Sequence, residues 1–352
     1  MWTSSRPRRF TTHEVVARNT DKTGRLTKGR KKRPVPEGWA SPDDVAGFQP
    51  LQQTDLSVTQ ASSLDAQVDY AAVGGLDGKV DIYSVQQNKV ERSLDIGEPV
   101  TATIWTETKV IVATVKGAVR VFDSGSEVAS FTSHAGTVTS LALHPGKRIL
   151  ASVGADKSFV FYDLDTLQQV SRIFTNAGTS DPTLPQMFPS LTSPALTACA
   201  FHPDGHLFAA GTQPGDIKVF HTGTGEEATA FTLGSPIQAL VFSENGFWFA
   251  ASGKGQSTVT IFDLRKEGAA AQVKELQTGD AQSLAWDYTG QFLATVGSTG
   301  VTVQQYLKSS KAWSEPLRTS VPGVALKWGD EAKSLVTVGK EGVVSVLAAK
   351  GE

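Results

Sequence analysis

The sequence predicts an all-β fold: a seven-bladed β-propeller, preceded by a basic, mostly unstructured N-terminal arm. A strand–turn–strand segment recurs seven times, a second segment recurs in phase with it, and the charge is divided between the two ends of the chain. The expected organisation is an arm or linker over 1–49 and the propeller over 50–352.

The recurring segment is an apolar strand, a tight turn, and a strand of alternating apolar residues that usually ends in an aromatic. It reads YAAVGGLDGKVDIYS at 70–84, VIVATVKGAVRVFDS at 110–124, ILASVGADKSFVFYDL at 149–164 and LFAAGTQPGDIKVFHT at 207–222. Three more copies are FWFAASGKGQSTVTIFDL at 247–264, FLATVGSTGVTVQQY at 292–306 and SLVTVGKEGVVSVLA at 334–348. The closing positions are Tyr83, Phe122, Tyr162, Phe220, Phe262, Gln304 and Leu347, spaced by 39, 40, 58, 42, 42 and 43 residues. One insertion in the fourth unit aside, the period is near 40, which belongs to four-stranded propeller blades.

A second strand precedes most copies: TATIW, SLALHPG, TACAFHPDG, ALVFSENG, SLAWDYTG and ALKWGDE. Gly205, Gly246 and Gly290 each stand four residues beyond an aromatic, where a hairpin turn favours positive φ. Two segments repeating in phase are far more specific than either alone.

The net charge of −2 hides two opposite parts. Residues 1–40 carry eleven Lys/Arg against three Asp/Glu, while the other 312 carry 22 against 32. The basic end lacks apolar periodicity and buries too little to order itself. Its densest stretch holds Arg25, Lys28, Arg30, Lys31, Lys32 and Arg33, followed by Pro34. Such a cluster suits a nuclear import signal, contact with RNA phosphates or an acidic protein face, or a solvated linker. Six phosphate contacts on a single strand would give a salt slope of about −4.

Several classes are set aside. No run approaches 18 apolar residues, so no transmembrane helix and no membrane association are expected. The opening MWTSSRPRRF lacks the apolar core of a secretory signal. One cysteine, Cys199, allows no internal disulfide and no cysteine-cluster zinc or iron–sulfur site, and fits a reducing compartment. Neither a cofactor nor a metal is expected.

His144-Pro145 and His202-Pro203 fall at one repeat position, which favours a turn role over catalysis or metal binding. Cys199 takes the slot of Leu141, Leu240, Leu284 and Leu326, as a packed residue does. Gly78-Lys79 and Gly253-Lys254 lack the earlier glycine and the following helix of a phosphate loop. No catalytic constellation emerges, although propeller enzymes can assemble sites from several blades. The insertion at 174–195 reads as a surface loop in which Met187 and Phe188 could anchor a partner, and Trp248 reads as a blade-packing residue.

The pattern resembles the WD-repeat family, and seven copies imply seven blades. The Trp-Asp pair appears here as Phe122-Asp123, Tyr162-Asp163 and Phe262-Asp263. In the third unit His134, Ser152, Asp156 and Tyr162 stand where the family's internal polar network has His, Ser, Asp and Trp. The stretch RLTKGRKKRPVPEGWASPDDV at 25–45, with FHPDG at 201–205 and FSENG at 242–246, narrows the likeness further. It is similar to the pre-mRNA-processing factor nineteen family over about 20–352.

That resemblance implies a nuclear subunit of the nineteen complex, which activates the spliceosome, with links to DNA repair. Its implied partners are nineteen-complex proteins and ubiquitination substrates. Family members are also ubiquitin ligases, using an N-terminal U-box, a tetramerising coiled coil and a partner-binding propeller. No U-box precedes residue 25 and no heptad run stands out, so no ligase residue carries over and enzyme activity is left open. Oligomerisation is expected only with an N-terminal coiled coil absent from this sequence. The rival reading is a WD-repeat adaptor or peptide-binding propeller of another complex.

Overall fold

Alternation within each repeat gives antiparallel sheets, and the computed structural model describes residues 38–67, 69–175 and 194–349 of them. The basic cluster from Arg25 to Arg33, and Met187 and Phe188 of the insertion, lie outside the described residues.

Seven sheets form, one per repeat. After helix α1 (Pro42–Ala46) comes β1 (Phe48–Asp55). Blade 1 is β2 (Ala61–Gln67), β3 (Tyr70–Gly75), β4 (Lys79–Ser84) and β5 (Lys89–Asp95); blade 2 is β6 (Val100–Thr106), β7 (Lys109–Thr114), β8 (Ala118–Asp123) and β9 (Ser126–Thr132). Blade 3 is β10 (Val138–Leu143), β11 (Ile149–Gly154), β12 (Ser158–Asp163) and β13 (Gln168–Phe174); blade 4 is β14 (Leu196–Phe201), β15 (Leu207–Thr212), β16 (Asp216–His221) and β17 (Glu227–Thr232). Blade 5 is β18 (Ile237–Phe242), β19 (Trp248–Gly253), β20 (Thr258–Asp263) and β21 (Gln272–Gln277). Blade 6 is β22 (Ser283–Trp286), β23 (Phe292–Gly297) and β24 (Gly300–Leu307), its outer edge split into β25 (Ala312–Trp313) and β26 (Leu317–Thr319). Blade 7 is β27 (Ala325–Trp328), β28 (Ser334–Val338) and β29 (Val343–Ala349), completed by β1 as its outermost strand.

The innermost strands are neighbours in a closed ring, with β2 beside both β6 and β27. Pairing of β1 with β29 joins the two ends of the chain, from Phe48↔Ala349 to Asp55↔Val343. An open β29 edge would be a template for other strands, so this pairing also protects it.

The second strand of each blade lies between neighbouring blades and is buried on both faces, as in the all-buried core of β11 from Leu150 to Gly154. Hence these strands read as continuous runs of small and apolar residues rather than as alternations. The seven repeat-closing side chains are all buried, from Tyr83 and Tyr162 to Gln304 and Leu347. Fully burying one such large apolar side chain is worth about 1.5–3 kcal/mol.

Residues 38–48 correct the expected arm boundary at 49. Ala40, Val45 and Phe48 are buried in the core shared by blades 6 and 7. Ser41 caps α1 in a reciprocal box with Asp44, and Ala40 N–H donates to Glu331 O at 2.9 Å. Trp39 donates its indole N–H to Asp287 Oδ2 at 3.2 Å and packs at a tilt against Tyr288, ring centroids 5.6 Å apart. A charged flank disguised this segment, because only a few of its residues face the core.

Candidate functional site

The innermost strands carry a repeated irregularity that aims side chains at the axis. In blades 1 to 5 the register slips by one residue at Ser62, Thr101, Thr139, Thr197 and Gln238. A β-bulge turns a side chain out of the ladder, and these five residues line a channel of roughly 940 Å³, with Gln282 and Val324 from blades 6 and 7. Leu76, Ser298, Val321, Pro322, Lys340 and Glu341 also border it.

The hydroxyls of this ring stitch blade to blade. Ser62 Oγ donates to Val100 O at 2.6 Å, Thr101 Oγ1 to Val138 O at 2.5 Å, and Thr139 Oγ1 to Leu196 O at 2.8 Å. Thr197 Oγ1 bonds within its own blade, to Gly211 O at 3.3 Å. Hydroxyls spent in this way are poor nucleophiles but leave a polar, wettable wall suited to recognition.

Three residues further along, Asp65 and Lys327 occupy one repeat slot of adjacent blades, where the others carry Ile104, Ala142, Ala200, Val241 and Ala285. Their side chains meet at 3.0 Å across the ring-closing joint. Asp65 Oδ2 also accepts the Trp105 N–H of blade 2 at 2.8 Å, so one carboxylate touches three blades. Attraction to Asp65 raises the Lys327 ammonium pKa.

The structure brings His134, Ser152, Asp156 and Tyr162 together in blade 3. His134 Nδ1 lies 2.9 Å from Asp156 Oδ1, its Nε2 lies 2.6 Å from Ser152 Oγ, and Ser152 Oγ lies 3.1 Å from the Tyr162 hydroxyl. Asp156 further accepts from Ala135 N–H at 2.9 Å and Arg172 Nη2 at 2.6 Å. Burial alone would raise the Asp156 pKa, but hydrogen bonds from His134, Ala135 and Ser158 outweigh it and hold the carboxyl far below its usual range. Burial raises the Tyr162 phenol. Arg172 and Ser158, which complete this cluster, had no distinguishing mark in the sequence.

The aspartates after the closing aromatics serve as local buttresses. Asp163 pairs with Arg148 at 2.7 Å, which brings its pKa down to about 2. Asp263 pairs with Arg265 at 2.7 Å, and that guanidinium lies 4.3 Å from the Phe247 ring centre.

The two His-Pro turns link adjacent blades. Gly146 N–H donates to His144 Nδ1 at 2.9 Å, which leaves Nε2–H to donate to Gly205 O at 3.2 Å. His202 Nε2 lies 3.0 Å from Gly246 O, repeating the contact one blade on. Gly205 has φ +76°, and an added Cβ would lie 2.0 Å from His144 Nε2, so a side chain there would displace the His144 ring from its contact.

Cys199 is buried, 3.6 Å from Ser140 Oγ, and burial pushes its thiol up to about 12. Among the described residues no group of three or more His, Cys, Asp or Glu is placed to hold a metal ion. No helix there is long and apolar enough to cross a membrane. Trp248 packs between blades 5 and 6, against Tyr306 and Trp313.

Fold and repeat define a WD-repeat β-propeller. The family model described as WD domain, G-beta repeat matches residues 125–163 and 186–221. The chain is 27% identical to pre-mRNA-processing factor 19 of Dictyostelium discoideum over 330 residues, 88% of this chain and 60% of that protein. It is 35% identical to the Schizosaccharomyces pombe factor over 151 residues, 42% of this chain and 30% of the relative. Against the Bos taurus factor it is 27% over 353 residues, 94% of this chain and 65% of the relative. The WD-repeat part of this chain fits the pre-mRNA-processing factor 19 family. Of the Dictyostelium and Arabidopsis relatives the chain spans 60% and 56% of the length.

Proposed function

We propose that this propeller is the partner-binding scaffold of a nuclear pre-mRNA-splicing complex of the factor 19 type. The supporting observation is the closed seven-blade ring with its polar channel, in a chain similar over most of its length to relatives named as pre-mRNA-processing factors. The channel hydroxyls are committed to holding blades together, which favours binding over turnover. In this reading Arg25, Lys28, Arg30, Lys31, Lys32 and Arg33 direct nuclear import and give a second contact to RNA or an acidic protein. In ubiquitin transfer the propeller would hold substrates while a U-box recruited the conjugating enzyme.

Competition in a splicing extract tests the reading. Excess purified full chain should sequester partners and slow splicing of a model pre-mRNA in proportion to dose. Undiminished splicing at a large molar excess would refute it.

A further inference from the structure

The core between blades 1 and 2 matches the core between blades 5 and 6 position for position. Strand registers equate Tyr70 with Trp248, Trp105 with Trp286, Ile82 with Ile261, Leu94 with Leu276 and Val110 with Leu293. The two differ in how well they are covered. Ile261, Leu276 and Leu293 are 0, 2 and 1% exposed, whereas Leu94 and Val110 reach 9 and 6% and Ile82 is only partly buried.

The cover in blades 5 and 6 is Trp313, together with Tyr306, whose ring centre lies 4.7 Å from that of Trp248. Trp313 comes from β25, the extension of the outer edge of blade 6, and lies 5.7 Å from the Trp286 ring and 6.3 Å from the Trp248 ring. Blade 2 instead turns tightly at Ser124-Gly125, with no large side chain to offer. The result is an open cavity of roughly 230 Å³ bordered by Tyr70, Ile82, Trp105, Phe122, Arg92 and Glu91. Its volume suits one large aromatic side chain.

We propose that this groove is the docking site for a partner peptide that packs an aromatic side chain, tryptophan above all, against the Tyr70–Trp105 pair, whose ring centroids lie 5.9 Å apart. Trp313 is the template for the occupant: in its own groove it stands between Lys311 and Glu315. The open groove has the complementary pair at its edge, Glu91 and Arg92, both exposed. Arg92 donates to Ser124 O through one of its five N–H groups, leaving donors for a carboxylate. The ligand chemistry is therefore an aromatic residue with a base shortly before it and an acid shortly after it.

The test uses the full chain and a synthetic peptide with the sequence of residues 308–316, titrated by calorimetry. Saturable binding is expected, weakened at least tenfold by Trp313→Ala in the peptide and at least tenfold by Tyr70→Ala in the protein. Tyr70→Leu, which keeps an apolar side chain there, guards against misfolding and should weaken binding with an unchanged melting temperature. Arg92→Glu should weaken it most at low salt. No binding at millimolar peptide, or binding indifferent to both Tyr70 variants, would overturn the assignment. Binding that emerged only after removal of residues 1–37 would give the groove to the chain's own arm and overturn the partner reading.

Discussion

Lys327 Nζ and Asp65 Oδ1 lie 3.0 Å apart and join blade 7 to blade 1 where the ring closes. The pair is unequal, because Asp65 also accepts the Trp105 N–H, whereas the Lys327 side chain is 47% accessible. Asp65→Ala should therefore cost about 1–3 kcal/mol, by stripping Trp105 N–H of its acceptor and Lys327 of its counter-charge. Lys327→Met should cost under about 1 kcal/mol, the range of solvent-screened pairs. Urea melts of both variants check the asymmetry; equal losses would contradict it. Because the folded Lys327 pKa is raised, its contribution is complete below the unfolded value of about 10.4 and fades as pH climbs through the folded one.

Asp156 is the hub of the blade 3 network. Asp156→Ala should lower stability by about 1–3 kcal/mol through the stranded His134, Ala135 and Arg172 donors. Its depressed pKa adds stability that is present above the unfolded value of about 3.9 and lost as pH falls toward the folded one. Wild type should therefore lose its advantage over the variant in acid melts below about pH 4. A constant difference across that window would contradict the assignment.

His144 accepts at Nδ1 and donates at Nε2, a pattern that only the neutral ring supplies. Burial lowers its pKa accordingly. The stability it contributes is complete above the unfolded value of about 6.5 and lost as pH falls below it. His144→Phe should flatten the melting temperature profile between about pH 5 and 7. An unaltered profile would show that the turn does not depend on the imidazole.

The closing strand makes a further prediction. A chain beginning at residue 56 lacks β1 and leaves the β29 edge open, so it should aggregate or melt well below wild type. Trp39→Ala keeps β1 and removes only the docking at Asp287 and Tyr288. With Trp39 only partly buried, its cost should be about 1–2 kcal/mol, below the 3–5 typical of fully buried aromatics. Equal damage from both changes, seen by differential scanning calorimetry, would contradict the ring-closure account.

Blade number, strand order and the packed closing residues were readable in the sequence because the repeat encodes them forty residues at a time. What escaped reading breaks the repeat. The strand β1, FQPLQQTD, buries little besides Phe48 and carries Pro50, so neither periodicity nor propensity marks it. The bulges at Ser62, Thr101 and Thr139 were hidden because a one-residue slip leaves no trace in a short alternating run. Asp65 and Lys327 are 262 residues apart in sequence and meet only through closure of the ring. Trp313 resembles any tryptophan near a surface turn until its equivalent groove is found uncovered elsewhere.

The most direct test of the partner-binding account is capture of the tagged full chain from nuclear extract, with the bound proteins identified by mass spectrometry. The account predicts that splicing-complex proteins co-purify with the chain. A well-folded chain that brings down no splicing protein would contradict it.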